Sequence, residues 1–407
     1  MAIPRFANPF RPGAGHMPPY LAGRDDERKE FERLLKQTVI LNNLVLTGLR
    51  GVGKTVLVDT FKPLAITSGW LWVGTDLSEA TSLTEERLAT RIITDLAVVT
   101  SQVVFDVSEA PRLGFNRRVR VEHRLDFQTL TAALRAIPGL MSDKLKGVLE
   151  LIWHALRASG SVRGVVFAYD EAQNLADHAA KDEYPLSLLL DVFQSIQKKG
   201  IPFMLALAGL PTLFPKLVQS RTFAERMFRV LFLDRLSDKD CRDAIVKPIS
   251  DARCPVSISD KGIKQIIQAS GGYPYFIQFI CREMYDAYLQ KVRSEKNPAA
   301  FIDEITRKLD SDFFAGRWAR VSERQRQLLQ MVAQLPDHGE EEFTVQEIAA
   351  ASRKLLKRPL SASQVNQMLV KLTAAGITYK NRHGKYSFAI PLLGRFILRN
   401  LAAPEEF

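Results

Sequence analysis

The stretch that most constrains this chain is a glycine-rich loop at residues 48–55, with the sequence GLRGVGKT. The apolar residues 44–46 before it predict a buried strand, and residues 56–61 after it predict a helix. A glycine loop in this setting fits the pattern G-x-x-x-x-G-K-S/T. Its glycines allow left-handed backbone that exposes bare amides, and the helix N-terminus adds partial positive charge. The loop therefore predicts a site for the phosphates of a nucleotide.

The residue types of the loop indicate separate tasks. Lys54 is expected to reach the β and γ phosphates, and Thr55 to ligate magnesium. ATP and Mg²⁺ are therefore the expected cofactors. The residues predicted to bind ATP in this stretch are Gly48, Leu49, Arg50, Gly51, Val52, Gly53, Lys54, Thr55 and Val56.

A second strong signal is an apolar run at residues 165–169 that ends in two adjacent carboxylates, Asp170 and Glu171. Because side chains alternate along a strand, these two carboxylates diverge and can serve different tasks. Asp170 is expected to hold Mg²⁺ through water. Glu171 is expected to orient and polarise the water that attacks the γ phosphate, a role typically worth ~10²–10⁴-fold in rate.

Composition excludes several other classes of protein. The chain has 407 residues, 46% of them hydrophobic and 25% charged, which is typical of a soluble protein with two or three domains. Three scattered cysteines and six scattered histidines predict neither a disulfide framework, a zinc site nor a hydrolase triad. Without an apolar run of membrane-spanning length or a signal peptide, we expect a cytoplasmic location and no membrane partner. The net charge of +11 permits a polyanionic partner but does not require one.

Strand and helix patterns alternate along the first half of the chain. Further apolar runs at residues 70–73, 203–208 and 230–233 complete a set of five. They predict an α/β fold, a doubly wound parallel five-stranded P-loop sheet, followed by a helical lid domain and a winged-helix domain. The expected regions are a Pro-rich arm at 1–20, the P-loop core at 21–236, the lid at 237–320 and the winged helix at 321–401.

Two other stretches leave alternatives open. The aromatic residues Phe6, Phe10 and Tyr20 of the arm are expected either to anchor it on the body or a neighbouring subunit, or to lie in a tail that is partly disordered when alone. Residues 108–124 predict a solvated loop or hairpin, or else a contact with nucleic acid or a subunit. Their basic residues are Arg117, Arg118, Arg120 and Arg124.

Several motifs resemble one group of ATPases. Gly23 and Arg24 begin a GR-x-x-E element similar to that of origin-recognition-type and STAND-type P-loop ATPases, where its backbone meets adenine. Residues 170–175, DEAQNL, resemble the Walker B segment of ExeA-like and transposon-encoded AAA+ ATPases. The turn before Pro274 resembles the GxP element of STAND ATPases, where the proline side faces the nucleotide. The chain is thus identified as a member of the AAA+/STAND group, closest to bacterial proteins with an origin-recognition-like ATPase domain.

That resemblance implies slow or partner-stimulated ATP hydrolysis and a homo-oligomer in the ATP state. The chain departs from the family pattern where a sensor 1 Asn would follow the strand at 203–208, and Thr212 is the nearest candidate. A sensor 2 arginine is also missing. Arg226 is the best match to an arginine finger and Arg229 the second; the alternative is that both pair with acids on their own surface.

Residues 322–400 predict three helices and a basic hairpin, which is typical of a winged helix. In the third helix the apolar residues Val365, Met368, Leu369 and Leu372 are expected to face inward. Polar residues there and basic residues on the wing are the expected contacts for duplex DNA. They are Gln364, Gln367, Lys371, Lys380, Arg382 and Lys385.

Two principal functions remain open at this point. The first is a Mg²⁺-dependent ATPase that uses assembly or lid movement to control DNA engagement. The second is a STAND-type signalling switch whose winged helix binds a protein partner instead. A nucleotide-stabilised scaffold without turnover stays open because of the missing sensor 1 Asn. A small-molecule kinase would leave the lid and winged helix without a purpose.

Overall fold

The computed structural model describes residues 7–13, 15–111, 118–158, 160, 162–254, 257–291, 301–336, 340–382 and 384–402. Of the residues named above, Phe6 and Arg117 lie outside these ranges. The chain divides into two compact units. The sheet unit comprises Asp25–Thr47 and Leu57–Phe232, and the C-terminal unit comprises Met1–Arg24, Gly48–Val56 and Leu233–Phe407.

Helices and strands alternate through the sheet unit, as the sequence predicts. They are α1 (Asp25–Leu35), β1 (Asn43–Gly48), α2 (Lys54–Thr67), β2 (Trp70–Val73), α3 (Glu85–Thr100), β3 (Val104–Pro111), β4 (Arg118–Arg124), α4 (Phe127–Ala136), α5 (Met141–Ala158), β5 (Gly164–Tyr169), α6 (Pro185–Lys198), β6 (Phe203–Gly209), α7 (Leu213–Ser220), α8 (Ala224–Met227) and β7 (Phe228–Leu233).

Among the described residues, five strands form one sheet in the order β2-β5-β6-β1-β7. The pairs β2 with β5, β5 with β6, and β6 with β1 are all parallel. Every residue of β1, β5 and β6 is buried, because helices cover both faces of a parallel sheet. The predicted α/β fold class is confirmed.

Each face of the sheet has its own packing. Val165, Phe167 and Tyr169 are alternate residues of β5 and join a core formed with α3, α5 and α6. Elsewhere in this unit Phe31 of α1 stacks on Phe61 of α2 with ring centroids 4.3 Å apart, and its edge meets Trp72 of β2. Large buried rings at this spacing fix the helices firmly against the strands.

The arginine-rich stretch before α4 forms a hairpin. Strands β3 and β4 are antiparallel, with Glu109 opposite Arg120 and Val104 opposite Arg124. The structure therefore confirms a hairpin for the backbone on either side of residues 112–117, which lie outside the described ranges, and the contact with nucleic acid or a subunit stays a prediction.

The C-terminal unit is mainly helical. Its elements are α9 (Asp238–Asp251), α10 (Asp260–Ser270), α11 (Pro274–Lys291), α12 (Ile302–Leu309), α13 (Gly316–Trp318), α14 (Glu323–Ala333), β8 (Phe343–Thr344), α15 (Val345–Leu355), α16 (Ala362–Ala374), β9 (Thr378–Arg382), β10 (Lys385–Phe388) and α17 (Leu393–Ala402).

Serine and threonine side chains begin many of these helices. Ser322, Thr344 and Ser361 each form a reciprocal capping box with the residue three positions later. Such caps satisfy amides that have no partner within the helix.

Strands β8, β10 and β9 form a small sheet in the same unit. Helix α17 was not predicted, yet its Phe396 stacks on Phe314 with ring centroids 5.1 Å apart.

Part of the arm packs on the helical region of the C-terminal unit. Phe10 is fully buried and stacks on Tyr285 of α11, with ring centroids 5.8 Å apart. Asn8 donates to the Arg282 carbonyl at 2.9 Å and to the Asp286 carboxylate at 2.8 Å. Tyr20 accepts a hydrogen bond from Lys247 at 2.6 Å. The expectation that Phe10 and Tyr20 anchor the arm on the body of the protein is confirmed.

No helix in the described part of the chain has both the length and the apolar character needed to cross a bilayer.

Replacing Phe10 by Ala is expected to destabilise the C-terminal unit by roughly 3–5 kcal/mol, because it leaves a cavity beside Tyr285. Urea unfolding followed by circular dichroism measures this loss. Met17 lies in the same arm but is exposed, so Met17→Ala is the control and should change the unfolding free energy by less than about 0.5 kcal/mol. Equal unfolding midpoints for both variants would show that the arm is not anchored.

Candidate functional site

The glycine loop has the backbone that its residue types predict. Gly51 and Gly53 have φ angles of 79° and 91°, in the left-handed region that favours glycine. Helix α2 begins at Lys54 directly after them. The Lys54 ammonium is buried and donates to the carbonyls of Gly48 and Leu49, both at 2.9 Å. A positive charge is thus held inside the loop at the N-terminus of a helix.

Two residues of the C-terminal unit hold two further carbonyls of the loop. Arg24 is buried and donates to the carbonyls of Val52 at 3.1 Å and Asp234 at 2.8 Å. The Tyr275 amide, which follows Pro274 at the start of α11, donates to the Gly51 carbonyl at 3.1 Å. The GR-x-x-E element and the proline turn, which lie far apart in sequence, therefore both meet the glycine loop.

In the sheet unit, Asp170 is fixed by the backbone of the segment after β2. The Leu77 amide donates to the Asp170 carbonyl at 2.9 Å, and the Asp170 amide donates to the Thr75 carbonyl at 3.2 Å. This approach requires Gly74, since a Cβ there would lie 1.7 Å from the Ala168 carbonyl oxygen. Sequence reasoning missed this constraint. Its only sign in the sequence is that Gly74 comes directly after an apolar strand.

The charge of Asp170 acts on another carboxyl of the sheet unit. Burial raises the pKa of the Asp59 carboxyl on α2, and the charges of Asp170 and Asp76 raise it further, against an opposing effect of Lys62. Asp76 forms a parallel β-bridge with Asp170, which is itself only 6% exposed. A cation would relieve the repulsion among these acids. Sequence reasoning missed Asp59 and Asp76, because neither lies in a motif.

Glu171 follows in a left-handed conformation, with a φ angle of 51°. Its amide donates to the Asp170 carboxylate at 2.7 Å, and its side chain is exposed. The Gln173 side-chain amide donates to the Glu171 carboxylate and, through its oxygen, accepts from the Leu210 amide at 3.0 Å. The two adjacent carboxylates therefore differ in exposure, with Asp170 buried and Glu171 exposed, but the left-handed turn at Glu171 separates them and not the alternation of a strand, which ends at Tyr169.

The two candidate finger arginines differ in their contacts. Arg229 forms an ion pair with Glu30 of α1 at 2.8 Å, which is the own-surface alternative of the sequence analysis. Hydrogen bonding by Arg33, with smaller contributions from Arg229, lowers the pKa of the Glu30 carboxyl. Arg226 is exposed on α8, and its side chain forms no ion pair or hydrogen bond with the rest of the described chain. Of the two, Arg226 remains the better candidate.

Thr212, the nearest candidate for sensor 1, lies at the N-terminus of α7 and is partly buried. Its side chain makes no capping hydrogen bond to the helix. The polar group that does meet the end of β6 is the Gln173 side chain.

Of the side chains predicted to contact DNA, some are exposed and others are engaged in contacts within the protein. Gln367 and Lys371 are exposed on α16, and Lys380 is exposed on β9. The Gln364 side chain accepts from the Ser361 amide at 3.0 Å and so belongs to the helix cap. The ammonium of Lys385 lies 3.9 Å from a Glu342 carboxylate oxygen. The negative charge of that carboxylate offsets the positive charge that Lys385 presents on the surface. The Arg382 side chain lies outside the described part of the structure.

The inward face of α16 is as predicted. Three of its four expected apolar residues are buried and the fourth is half-buried. They are Val365, Leu369 and Leu372, with Met368 at the margin.

The variant Gly74→Ala is expected to unfold the sheet unit at clearly lower denaturant concentration, because its Cβ collides with the Ala168 carbonyl and its φ of 139° is strained for alanine. Gly316→Ala is the matched control, since a Cβ there meets nothing within 4 Å. Urea unfolding monitored by tryptophan fluorescence, with Trp70 and Trp72 in the same strand, compares the two. Equal midpoints would contradict the close approach of β5 to residue 74.

Comparisons with known proteins bear on the fold. Residues 311–397 match a family model described as a domain of unknown function, DUF8462. No protein with curated annotation is significantly similar to the chain in sequence. Among solved structures, the Walker-type ATPase PABY2304 of Pyrococcus abyssi is 14% identical with a TM-score of 0.57, over 93% of this chain and 96% of that one.

The ORC2 protein of Aeropyrum pernix, in its ADP form, is 14% identical with a TM-score of 0.56, over 96% of this chain and 98% of that chain. At such identities the likeness concerns the fold. It extends over nearly the whole length of both relatives, beyond the sheet itself. With the five-stranded parallel sheet and its glycine loop, this likeness gives the chain the fold of the origin-recognition-like AAA+ ATPases.

Proposed function

We propose that this protein is a Mg²⁺-dependent ATPase in which ATP controls engagement of duplex DNA through the C-terminal winged helix. One observation carries the proposal. Strands β1 and β5 belong to the same parallel-stranded sheet, and their carboxyl ends lead into the glycine loop and into Asp170 and Glu171. In open α/β sheets, ligands bind beyond the carboxyl ends of the strands.

The residues of the two motifs divide the work of ATP hydrolysis. Lys54 and the loop amides bind the phosphates. Thr55 and Asp170 supply oxygen ligands of the kind that Mg²⁺ prefers, and the negative charges of Asp59, Asp76 and Asp170 favour a cation. Mg²⁺ supplies charge neutralisation on the phosphates when bound. Glu171 orients the attacking water from its exposed position.

The exposed Arg226 is proposed to act in a neighbouring subunit. An arginine finger must reach beyond its own surface, and Arg226 has no partner in the described part of its own chain, whereas Arg229 is bound to Glu30. The proposed assembly in the ATP state is therefore a homo-oligomer whose sites are completed by Arg226 of the adjacent copy.

Contacts within the C-terminal unit support coupling of the loop to the lid. The amide of Tyr275 holds the carbonyl of Gly51, so a change in the loop on phosphate binding is felt at the first turn of α11. Arg50 extends from the same loop towards Gly376, at the end of α16, where a Cβ would lie 3.7 Å from its guanidinium. We therefore propose that a change in the glycine loop reaches both the lid, through Tyr275, and the winged helix, through Arg50.

The proposed DNA contacts are the exposed Gln367, Lys371 and Lys380, with Arg382 on the wing. The alternative is a STAND-type switch whose winged helix binds a protein. It is favoured by the engagement of Gln364 in the helix cap and of Lys385 with Glu342, which leaves the outward face polar more than basic.

The first prediction from this function concerns ATP. Lys54→Ala is expected to abolish retention of radiolabelled ATP, because the buried ammonium is lost. Glu171→Gln is expected to retain ATP and to release phosphate ~10²–10⁴-fold more slowly than the wild type. Lys62→Ala changes an exposed lysine of the same helix and should retain ATP. Undiminished retention by Lys54→Ala, or equal phosphate release by Glu171→Gln, would refute the assigned roles.

The second prediction concerns DNA. Binding of a fluorescent duplex by the wild type should weaken with salt, with a log-log slope of about −0.9 per phosphate neutralised. The double variant Lys371→Ala/Lys380→Ala is expected to reduce that slope by about 2 in magnitude. Lys261→Ala/Lys264→Ala removes the same charge from α10 and is the control. If both pairs lower binding equally, or no duplex binds, the protein-docking alternative replaces the DNA proposal.

A further inference from the structure

We infer that Gln173 is a positioning residue that holds Glu171 in its working orientation and joins it to the end of β6. This inference rests on the proposed ATP hydrolysis and adds to it the group that orients the water-activating carboxylate. The family pattern would put a polar residue at the end of β6, and this chain has Ala208, Gly209 and Leu210 there. Gln173 reaches that position from the turn that follows the neighbouring strand β5.

Both ends of the Gln173 side-chain amide are engaged. Its nitrogen donates to the Glu171 carboxylate, and its oxygen accepts from the Leu210 amide at 3.0 Å. Because the oxygen is fixed by a backbone amide at the end of a buried strand, the nitrogen has a fixed direction as well. The amide therefore forms a bridge of defined length between β6 and Glu171.

The surroundings of Gln173 are built to admit this bridge. Its backbone carbonyl accepts from the Lys216 ammonium of α7 at 2.7 Å, and burial lowers the pKa of that lysine. A Cβ on Gly209 would lie 2.6 Å from the Gln173 side-chain oxygen, so the glycine leaves the space that the amide occupies.

The bridge has a chemical consequence. Glu171 is exposed, and an unrestrained exposed carboxylate samples several rotamers. One carboxylate oxygen accepts from Gln173, which leaves the other oxygen for a water molecule. Holding a catalytic group in one orientation accelerates a reaction without changing substrate binding. Gln173 is thus expected to affect kcat and not the affinity for ATP.

The test is steady-state ATP hydrolysis by the full-length protein. Gln173→Ala is expected to lower kcat about tenfold or more, with KM and ATP retention unchanged, because a misplaced catalytic group can cost up to ~10²-fold. Gly209→Ala should have the same effect, since it displaces the amide without removing it. In the Glu171→Gln background, Gln173→Ala should cause no further loss, because the group that it positions is already absent.

Asn174→Ala is the matched control. It loosens the same turn but removes a bond to Leu77 and none to Glu171, so its kcat should stay within about twofold of the wild type. The inference is overturned if Gln173→Ala leaves kcat unchanged or raises it, or if Asn174→Ala lowers kcat equally. An additional loss in the Glu171→Gln background would also overturn it. If the wild type hydrolyses no ATP, the proposed function fails first, and that result is distinct from any of these.

Discussion

The structure depends on the complete burial of three adjacent parallel strands. Since β1, β5 and β6 are covered on both faces, they contain no charged side chain, and the charged groups of this region follow the ends of the strands. At that edge the chain must satisfy its backbone groups locally. The hydrogen bonds between the Leu77 segment and Asp170, and between Gln173 and Leu210, do this. The candidate catalytic groups therefore lie at this edge because the buried strands end there.

Local patterns were enough to predict the fold class and the two motifs. The glycine loop, the apolar runs and the carboxylates at the end of β5 are contiguous in sequence, so each carries its own structural signal. The inward face of α16 was predictable for the same reason, because helical periodicity places Val365, Leu369 and Leu372 on one side.

Contacts between distant segments were not predictable from the sequence. The bond between Tyr275 and Gly51 joins residues more than two hundred positions apart, and no local pattern announces it. Gln173 was visible only as one letter of a motif, because its role depends on the register of β5 against β6. The ion pair of Arg229 with Glu30 likewise depends on how α1 packs beside β7. Helix α17 was missed although Pro391, a residue common at the start of a helix, stands between β10 and its first turn.

Helix α11 makes two separate contacts along its length. Tyr275 at its start holds the glycine loop, and three turns later Asp286 holds Asn8 of the arm. The two contacts are separated by about 16 Å of helix, at 1.5 Å per residue. Because a helix is stiff, a tilt of its first turn would also displace the segment three turns later to which the arm is anchored. The buried Phe10 packs at that segment, so a change in the glycine loop would displace it as well.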